Sequence, residues 1–475
     1  MQGSVVSTSG RMHKLPVLTA VLLALFALLA ASIFTAGTGL WASPASQHRV
    51  SPHVVKAPTH YLFAGPVNDS ATFRCQSNTA PVRCYGPAQI RTAYNIQPVL
   101  NSGITGKGRT IVIIDAFQSP TLKEDLHTFD TLFGLNDPQL NIVAPDGLTP
   151  FDLNDQNQVG WSGEITLDVE WAHAIAPDAA ITLVLAKSNE DADILSATKY
   201  AIDHNLGDVI SQSFGEAETC MDRKLLKQQH QLFFEATLKG ITLLASSGDQ
   251  GSAQPTCDGS SFFLSASTPA SDPFVTSVGG TQLNADAITG EYKSEVVWNE
   301  PQFGAAGGGG FSTIYRKPFY QFGTRIDSKY RGEPDVSYNA AINGGVLTVW
   351  TQGGTQGVYI FGGTSAGSPQ WAGIVALGNQ MAHKRMGFLN PAFYLIGHTG
   401  FYNQGEHDIT VGDNSYTFQD SNGKTVTIPG YSAGKSWDAA TGWGTPNVAK
   451  LLPVLTRLAV FSASDATKVM NNDKL

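Results

Sequence analysis

A serine stands in Gly363-Thr364-Ser365-Ala366-Gly367-Ser368-Pro369, just ahead of the helix-forming run Gln370-Trp371-Ala372-Gly373-Ile374-Val375-Ala376-Leu377. The pattern places a hydroxyl at the start of a helix, where free N–H groups and the positive end of the dipole favour negative charge. That setting suits a nucleophile whose substrate develops an oxyanion. The groups placed to take its proton are carboxylates rather than histidines. Glu164 and Asp168 stand at i and i+4 in Gly163-Glu164-Ile165-Thr166-Leu167-Asp168-Val169-Glu170-Trp171, and on a helix they share one face. Two ionised carboxylates in contact repel, so partial burial makes them share a proton. Such a pair yields a carboxylate able to accept a proton from a serine at acidic pH. The plainer reading is a solvated acidic helix face; the flanking Ile165, Leu167, Val169 and Trp171 argue for burial. Asp249, in Ser246-Ser247-Gly248-Asp249-Gln250-Gly251, is either a turn residue or a protonated carboxyl that donates to an oxyanion.

The elements that must position these groups follow from periodicity. Thr110–Asp115 is an apolar strand ending in a carboxylate, and residues 162–175 have helical spacing. Ala180–Leu185 reads as a strand, Ala192–His204 as a helix and Asp208–Ser213 as a strand. Lys224–Gly240 follows as a helix and Ile241–Ser246 as a strand. Strands alternating with helices over short connections predict a parallel sheet covered on both faces. Function in such sheets collects at the carboxyl ends of the strands, where Asp115, Ser213 and Asp249 stand. For Asp115 itself a structural cap is an equal explanation. Residues 270–362 predict short strands and long loops, and residues 461–475 a polar, frayed tail.

A chain of 475 residues with 42% hydrophobic residues can bury a large core. The net charge of −9, with no long basic run, excludes nucleic acid as a partner. Arg11, His13 and Lys14 precede an apolar run from Leu15 to about Phe34, and small residues follow in Ala42-Ser43-Pro44-Ala45. Residues 1–45 therefore predict a signal peptide, with an uncleaved membrane anchor through residues 15–36 as the rival. Either places the rest of the chain outside the membrane. Residues 46–83 are polar and punctuated by proline, a short linker with a loop closed by Cys75 and Cys84. Two local disulfides, Cys75–Cys84 and Cys220–Cys257, are the expected pairing among the three that four cysteines allow.

Taken together these stretches resemble the sedolisin family of serine-carboxyl peptidases. The resemblance covers roughly residues 84–455. It rests on Tyr85-Gly86-Pro87, Ile113-Ile114-Asp115-Ala116-Phe117, Glu164 through Asp168, Ile210-Ser211-Gln212-Ser213-Phe214-Gly215 and Ser247-Gly248-Asp249. Gly308-Gly309-Gly310-Phe311-Ser312, Pro334-Asp335-Val336-Ser337, the Ser365 motif and Asp438-Ala439-Ala440-Thr441-Gly442-Trp443-Gly444 complete it. The resemblance implies a subtilisin-like fold in a peptidase domain over residues 84–460, with a parallel sheet flanked by helices on both faces. It implies Ser365 as the acylated nucleophile, Glu164 as general base, Asp168 as the carboxyl that tunes Glu164, and Asp249 as oxyanion donor. Protein or peptide substrates and a secreted, monomeric endopeptidase are expected, with a tripeptidyl-peptidase as the alternative within the family. Because Glu164 must accept a proton while Asp249 keeps its own, activity is expected around roughly pH 3–5.

The resemblance also implies a calcium loop near the C-terminus. By position, one structural Ca2+ would be held by Asp408, Asp438 and the carbonyls of Ile409, Gly434 and Ser436, a hard-oxygen set. Ser436 replaces a common family glycine, which a main-chain ligand tolerates. The chain departs from the family in one respect: residues 46–83 cannot hold the large prodomain usual in relatives.

Three other readings compete. Gly363-Thr364-Ser365-Ala366-Gly367 fits the hydrolase elbow, but no histidine lies beyond His407, and Glu406-His407 is poor geometry for a triad. A histidine-based subtilase would use His173, which lacks the expected Gly-Thr context. A surface binding protein with a silent site is the non-enzymatic reading.

Overall fold

The computed structural model describes residues 54–56, 60–68, 72–324, 328–459 and 463–472. The segment expected to be a signal peptide or anchor lies outside these residues. Among the described residues no helix is long and apolar enough to cross a membrane.

The first strand, β1 (His60–Pro66), precedes the main sheet. That sheet is built from β2 (Thr110–Ala116), β3 (Leu140–Val143), β4 (Ala180–Ala186), β5 (Val209–Gln212), β6 (Thr242–Ser246), β7 (Thr276–Ala285), β8 (Tyr292–Val297) and β9 (Val336–Asn339). The order is β8-β7-β6-β5-β2-β4-β3, with β9 also pairing β7. Every pair is parallel except β7 with β8. The apolar composition of β2 explains its central place, since a parallel strand is covered on both faces. The expected α/β class and the strands read from the sequence are thus present, with ends shifted by a residue or two.

The longer helices around this sheet include α1 (Leu122–Phe133), α2 (Gln156–Ile175), α3 (Asp191–Asp203), α4 (Arg223–Leu238) and α5 (Gly367–Met381). Helix α2 packs on α5, and α3 packs on α4. Asp155 caps α2 by accepting from the Asn157 N–H at 2.9 Å. From Trp161 onward α2 is buried on every side, as expected of a helix without a solvent-facing polar stripe. Its approach to α5 depends on Gly373, where a Cβ would fall 2.7 Å from Ile175 Cβ. Trp171 Nε1 donates to Leu347 O at 3.0 Å, and Trp371 Nε1 to Ser337 O at 3.1 Å. The two helices are thereby pinned to separate strands.

A second sheet joins β1, β11 (Thr355–Gly362), β10 (Gly345–Gln352) and the short Cys84–Tyr85 strand, in that order. The disulfides Cys75–Cys84 and Cys220–Cys257 are both formed, each with a Cα–Cα distance of 5.2 Å.

Two expectations need correction. Residues 46–83 are not only linker and loop, because β1 is a full strand pairing β11 from His60↔Gly362 to Pro66↔Gly357. Its aromatic residue Tyr61 reaches Trp350, Tyr359 and Phe361, contacts that a composition reading does not weigh. The expected frayed tail contains a helix, α7 (Ala463–Asn472), which follows α6 (Val448–Leu458). Ala466 and Val469 are buried, and Asn472 Nδ2 donates to Lys317 O at 3.0 Å. Its few apolar residues share one face, which overall polarity concealed.

Gly373→Ala should cost about 1–3 kcal/mol by overpacking, although alanine is the better helix former. Gly400→Ala, where a Cβ meets nothing within 4 Å, should change stability by less than about 0.5 kcal/mol. Thermal unfolding of the two variants beside the parent chain checks both.

Candidate active site

Ser365 lies in a short turn, Thr364–Ala366, between β11 and α5. Gly363 enters that turn with φ 117°, and a Cβ there would stand 2.7 Å from Asp249 Oδ2. Only glycine serves both the conformation and the contact. Ser365 is buried, and its hydroxyl donates to Ser213 O at 3.4 Å. A bond that long leaves the hydroxyl free to turn elsewhere.

Behind it stand the carboxyls of α2 and β2. Glu164, Asp168 and Asp115 are completely buried. None has a hydrogen-bond partner at ordinary distance among the described residues. The Ser365 hydroxyl is nonetheless close enough to favour ionisation of Glu164, and that of Ser213 to favour ionisation of Asp168. Burial dominates and raises all three well above the usual carboxyl range. Asp168 adds to the rise at Glu164 and at Asp115, and Asp115 and Asp249 add smaller contributions at Glu164. The solvated-face reading of Glu164 and Asp168 is therefore excluded. Asp115 is the group that sequence reasoning undervalued. It faces the same space, and the signal was its place at the carboxyl end of the central strand.

Asp249 follows β6. Its Oδ1 accepts from the Thr364 N–H and from Thr364 Oγ1, both at 2.8 Å. Its Oδ2 is buried with no hydrogen bond from the described residues. Burial raises this carboxyl, while His60 and the Thr364 donors pull it back. The turn reading of Asp249 is thus replaced by a carboxyl with one oxygen anchored and one free beside the Ser365 turn. His60, whose Nε2 stands 3.7 Å from Asp249 Oδ2, lies in the segment read as linker and was missed altogether.

The rival histidine is elsewhere. His173 is buried in α2 with Nε2 3.1 Å from Asp130 Oδ1, a contact within the core. His407 is half-buried and stacks on Tyr292, with ring centroids 4.0 Å apart.

A strand edge leads into the site. Val55 N–H donates to Asn189 O at 3.0 Å, and Lys56 N–H donates to Gly215 O at 3.1 Å. Gly215 N–H returns a bond to Lys56 O at 3.2 Å, and Asn189 Nδ2 donates to Val55 O at 2.8 Å. An extended chain thus runs antiparallel to Gly215 and Glu190, the geometry of strand addition.

The residues expected to hold a cation lie on two segments, 408–409 and 434–438, that meet where Ser436 approaches Asp408. Asp408 Oδ1 accepts from Tyr402 OH at 2.8 Å and from Ser436 N–H at 3.1 Å. Asp438 Oδ2 accepts from Gly434 N–H at 2.9 Å, and burial pushes its carboxyl up to about 6. The carbonyls of Ile409, Gly434 and Ser436 accept no hydrogen bond from the described residues. Unpaired carbonyls beside two carboxylates fit a hard cation. Among the described residues no cluster of three or more His, Cys, Asp or Glu is placed for a metal, so any such site must draw on the backbone.

Residues 154–392 match the model of the subtilase family. Kumamolisin of Bacillus sp. (strain MN-32) is 33% identical over 81% of this chain and 66% of that protein. Sedolisin of Pseudomonas sp. (strain 101) is 31% identical over 77% of this chain and 60% of that protein. Tripeptidyl-peptidase 1 of Rattus norvegicus is 26% identical over 78% and 64%. The chain therefore spans 60–66% of the length of these curated relatives. Among solved structures, a Pseudomonas sedolisin described as a serine-carboxyl proteinase, complexed with two molecules of pseudo-iodotyrostatin, matches with a TM-score of 0.66. Identity there is 28%, covering 79% of this chain and 98% of that one.

Raised carboxyls link stability to pH. A carboxyl held above its unfolded value contributes stability that is complete below that value and lost as pH rises through the folded one. Besides the central group, Asp191 is raised to about 6, Glu333 to about 8 and Glu216 to about 9, each chiefly by burial. The melting temperature should be highest near about pH 4 and fall steadily toward about pH 8. In Asp168→Asn the fall should be smaller. Calorimetry across that range decides; a melting temperature that rises toward neutral pH would contradict the assignment.

Proposed function

The chain belongs to the subtilase family, in its sedolisin branch of serine-carboxyl peptidases, and from that premise we propose that it hydrolyses peptide bonds of protein substrates at acidic pH. The observation that carries the proposal is the buried group of carboxyls behind Ser365, with the rival His173 tied up in the core. In this reading Glu164, when ionised, accepts the Ser365 hydroxyl proton as the oxygen attacks the scissile carbonyl. Asp168 and Asp115 retain protons beside it and set its basicity. Asp249, protonated on its free Oδ2, donates to the oxyanion of the tetrahedral adduct. Collapse of the adduct leaves the acyl group on Ser365, and Glu164 returns its proton to the leaving amine. Water then repeats the sequence and releases the acid product.

A substrate would pair with the backbone of Asn189 and Gly215, the groups that Val55 and Lys56 engage. That stretch must therefore leave the edge before a substrate binds. Cleavage within a chain, as an endopeptidase, is the reading we adopt, with a tripeptidyl-peptidase as the alternative within the family. The two disulfides suit an oxidising exterior, in line with residues 1–45 as a signal peptide or anchor; the peptidase domain, taken as monomeric, is wider than residues 84–460, since β1 and α7 belong to it. One Ca2+ would be held by Asp408, Asp438 and the carbonyls of Ile409, Gly434 and Ser436. It would neutralise two carboxylates and fix the loop that leads into Ala439–Gly444.

Hydrolysis of an unfolded protein, followed from pH 2 to 9, tests the chemistry. Ser365→Ala and Glu164→Gln should each lower turnover about 10⁴-fold, the scale of losing one member of a catalytic triad. Neutral activity that survives Glu164→Gln would require a different base.

Chelation tests the cation. EDTA should lower the melting temperature of the parent chain, and added Ca2+ should restore it. In Asp438→Asn the chelator should make little difference. An equal response in both would remove the assignment.

A further inference from the structure

We infer that His60 is a second donor to the oxyanion position, acting beside Asp249. The inference deepens the peptidase reading and rests on it. His60 opens β1, and its position is fixed by pairing rather than by its own side chain. His60 pairs Gly362, Tyr61 pairs Phe361 and Leu62 pairs Ile360, so β1 is registered on the strand that delivers Ser365. Tyr61 locks that register among Trp350, Tyr359 and Phe361, at 5.2, 5.8 and 5.6 Å between ring centroids. The His60 ring stands edge-on to Trp298 at 6.1 Å and 80°. Trp298 is itself held by donating from Nε1 to Glu300 Oε2 at 2.9 Å.

The ring therefore faces one way. Its Nε2 lies 3.7 Å from Asp249 Oδ2, too far for a direct hydrogen bond. Both atoms are buried, and neither has a hydrogen-bond partner among the described residues. The other Asp249 oxygen is already satisfied by Thr364. Two unsatisfied polar atoms at this separation can both reach one oxygen placed about 2.8 Å from each. An imidazole donates from Nε2 as the cation or as the Nε2–H tautomer, and a protonated carboxyl donates from Oδ2. An oxygen bearing negative charge, on the adduct carried by Ser365, is the occupant that suits two donors. The charged or titratable groups around the pair are Glu164, which senses Asp249, and Glu300 behind the Trp298 ring.

The role differs from that of Val54–Lys56. Those residues occupy the edge that a substrate needs and must move, whereas β1 is a strand of the second sheet and keeps His60 in place.

The experiment uses the full chain and compares turnover and KM for the parent, His60→Ala and His60→Gln on an unfolded protein substrate. His60→Ala should lower kcat about 10²-fold with KM little changed, the usual cost of one oxyanion donor. His60→Gln, whose amide can donate, should recover part of the loss. A peptide aldehyde, whose hemiacetal oxygen would occupy the same position, should bind His60→Ala more weakly in proportion. Melting temperatures identify any variant that has simply unfolded, and the glutamine variant then decides. Unchanged kcat in both variants overturns the inference. So does a rise in kcat, which would mean that His60 holds Asp249 shut. A parent chain without Ser365-dependent hydrolysis defeats the peptidase reading itself, an outcome distinct from a Ser365-dependent parent indifferent to His60.

Discussion

Three carboxyl side chains share one dry space behind a serine hydroxyl, and the cost of charging them governs the rest of the molecule. Each unit by which burial raises a carboxyl pKa corresponds to about 1.4 kcal/mol against the ionised form. Glu164, Asp168 and Asp115 are raised together because each is stripped of water, and the charge of Asp168 raises the other two further. In protonated form they are tolerable in a core, while a full set of negative charges is not. The space must therefore be closed, which explains why α2 is buried on every side and why α5 packs so near it.

The reacting groups arrive from two different sheets. Asp249 follows a strand of the parallel sheet, and Ser365 follows β11 of the smaller one. Their meeting is enforced by Thr364, whose N–H and hydroxyl both donate to Asp249 Oδ1. Gly363 removes the side chain that would otherwise separate them. That join orients the carboxylic acid, since anchoring Oδ1 leaves Oδ2 as the oxygen turned toward incoming charge. β1 completes the same sheet from its far edge and brings an imidazole to that oxygen.

The sequence carried the parallel sheet plainly, because alternating apolar strands and helices leave few other solutions. It carried Ser365, Glu164, Asp168 and Asp249 as members of ordered motifs, and structure brings all four together. Burial of the Glu164 helix could be argued only from its neighbours, because i, i+4 carboxylates look alike on a wet face and in a core. Asp115 was visible at a strand end, but its partner Asp168 is remote in sequence and only β2 lying beside α2 joins them. His60 gave no local signal. A histidine in a polar, proline-rich stretch gains meaning only through its pairing with Gly362, some three hundred residues away. The α7 helix was hidden for the opposite reason, since polar composition masked a short apolar face.

The proposed use of carboxyls for both base and oxyanion donor creates a problem of assignment within a single protonation level. Glu164 must be ionised and Asp249 protonated. Yet Glu164 is raised by burial, by Asp168 and by Asp115, whereas His60 and Thr364 oppose the rise at Asp249. The influences on Glu164 thus mostly oppose its ionisation, while those on Asp249 partly offset one another. The proposed reactive arrangement has the proton on Asp249 and none on Glu164, and transfer of a proton between the two leaves the total bound unchanged. A substrate carbonyl favours that transfer, because it accepts a hydrogen bond from protonated Asp249 and would face an anion otherwise. Ser365 assists from the other side, since its hydroxyl stabilises Glu164 as the carboxylate. A pH–rate profile thus reports the titration of the coupled group as a whole. In the proposed mechanism a preference for acid would follow from the number of protons the site must hold, with the substrate deciding where they sit.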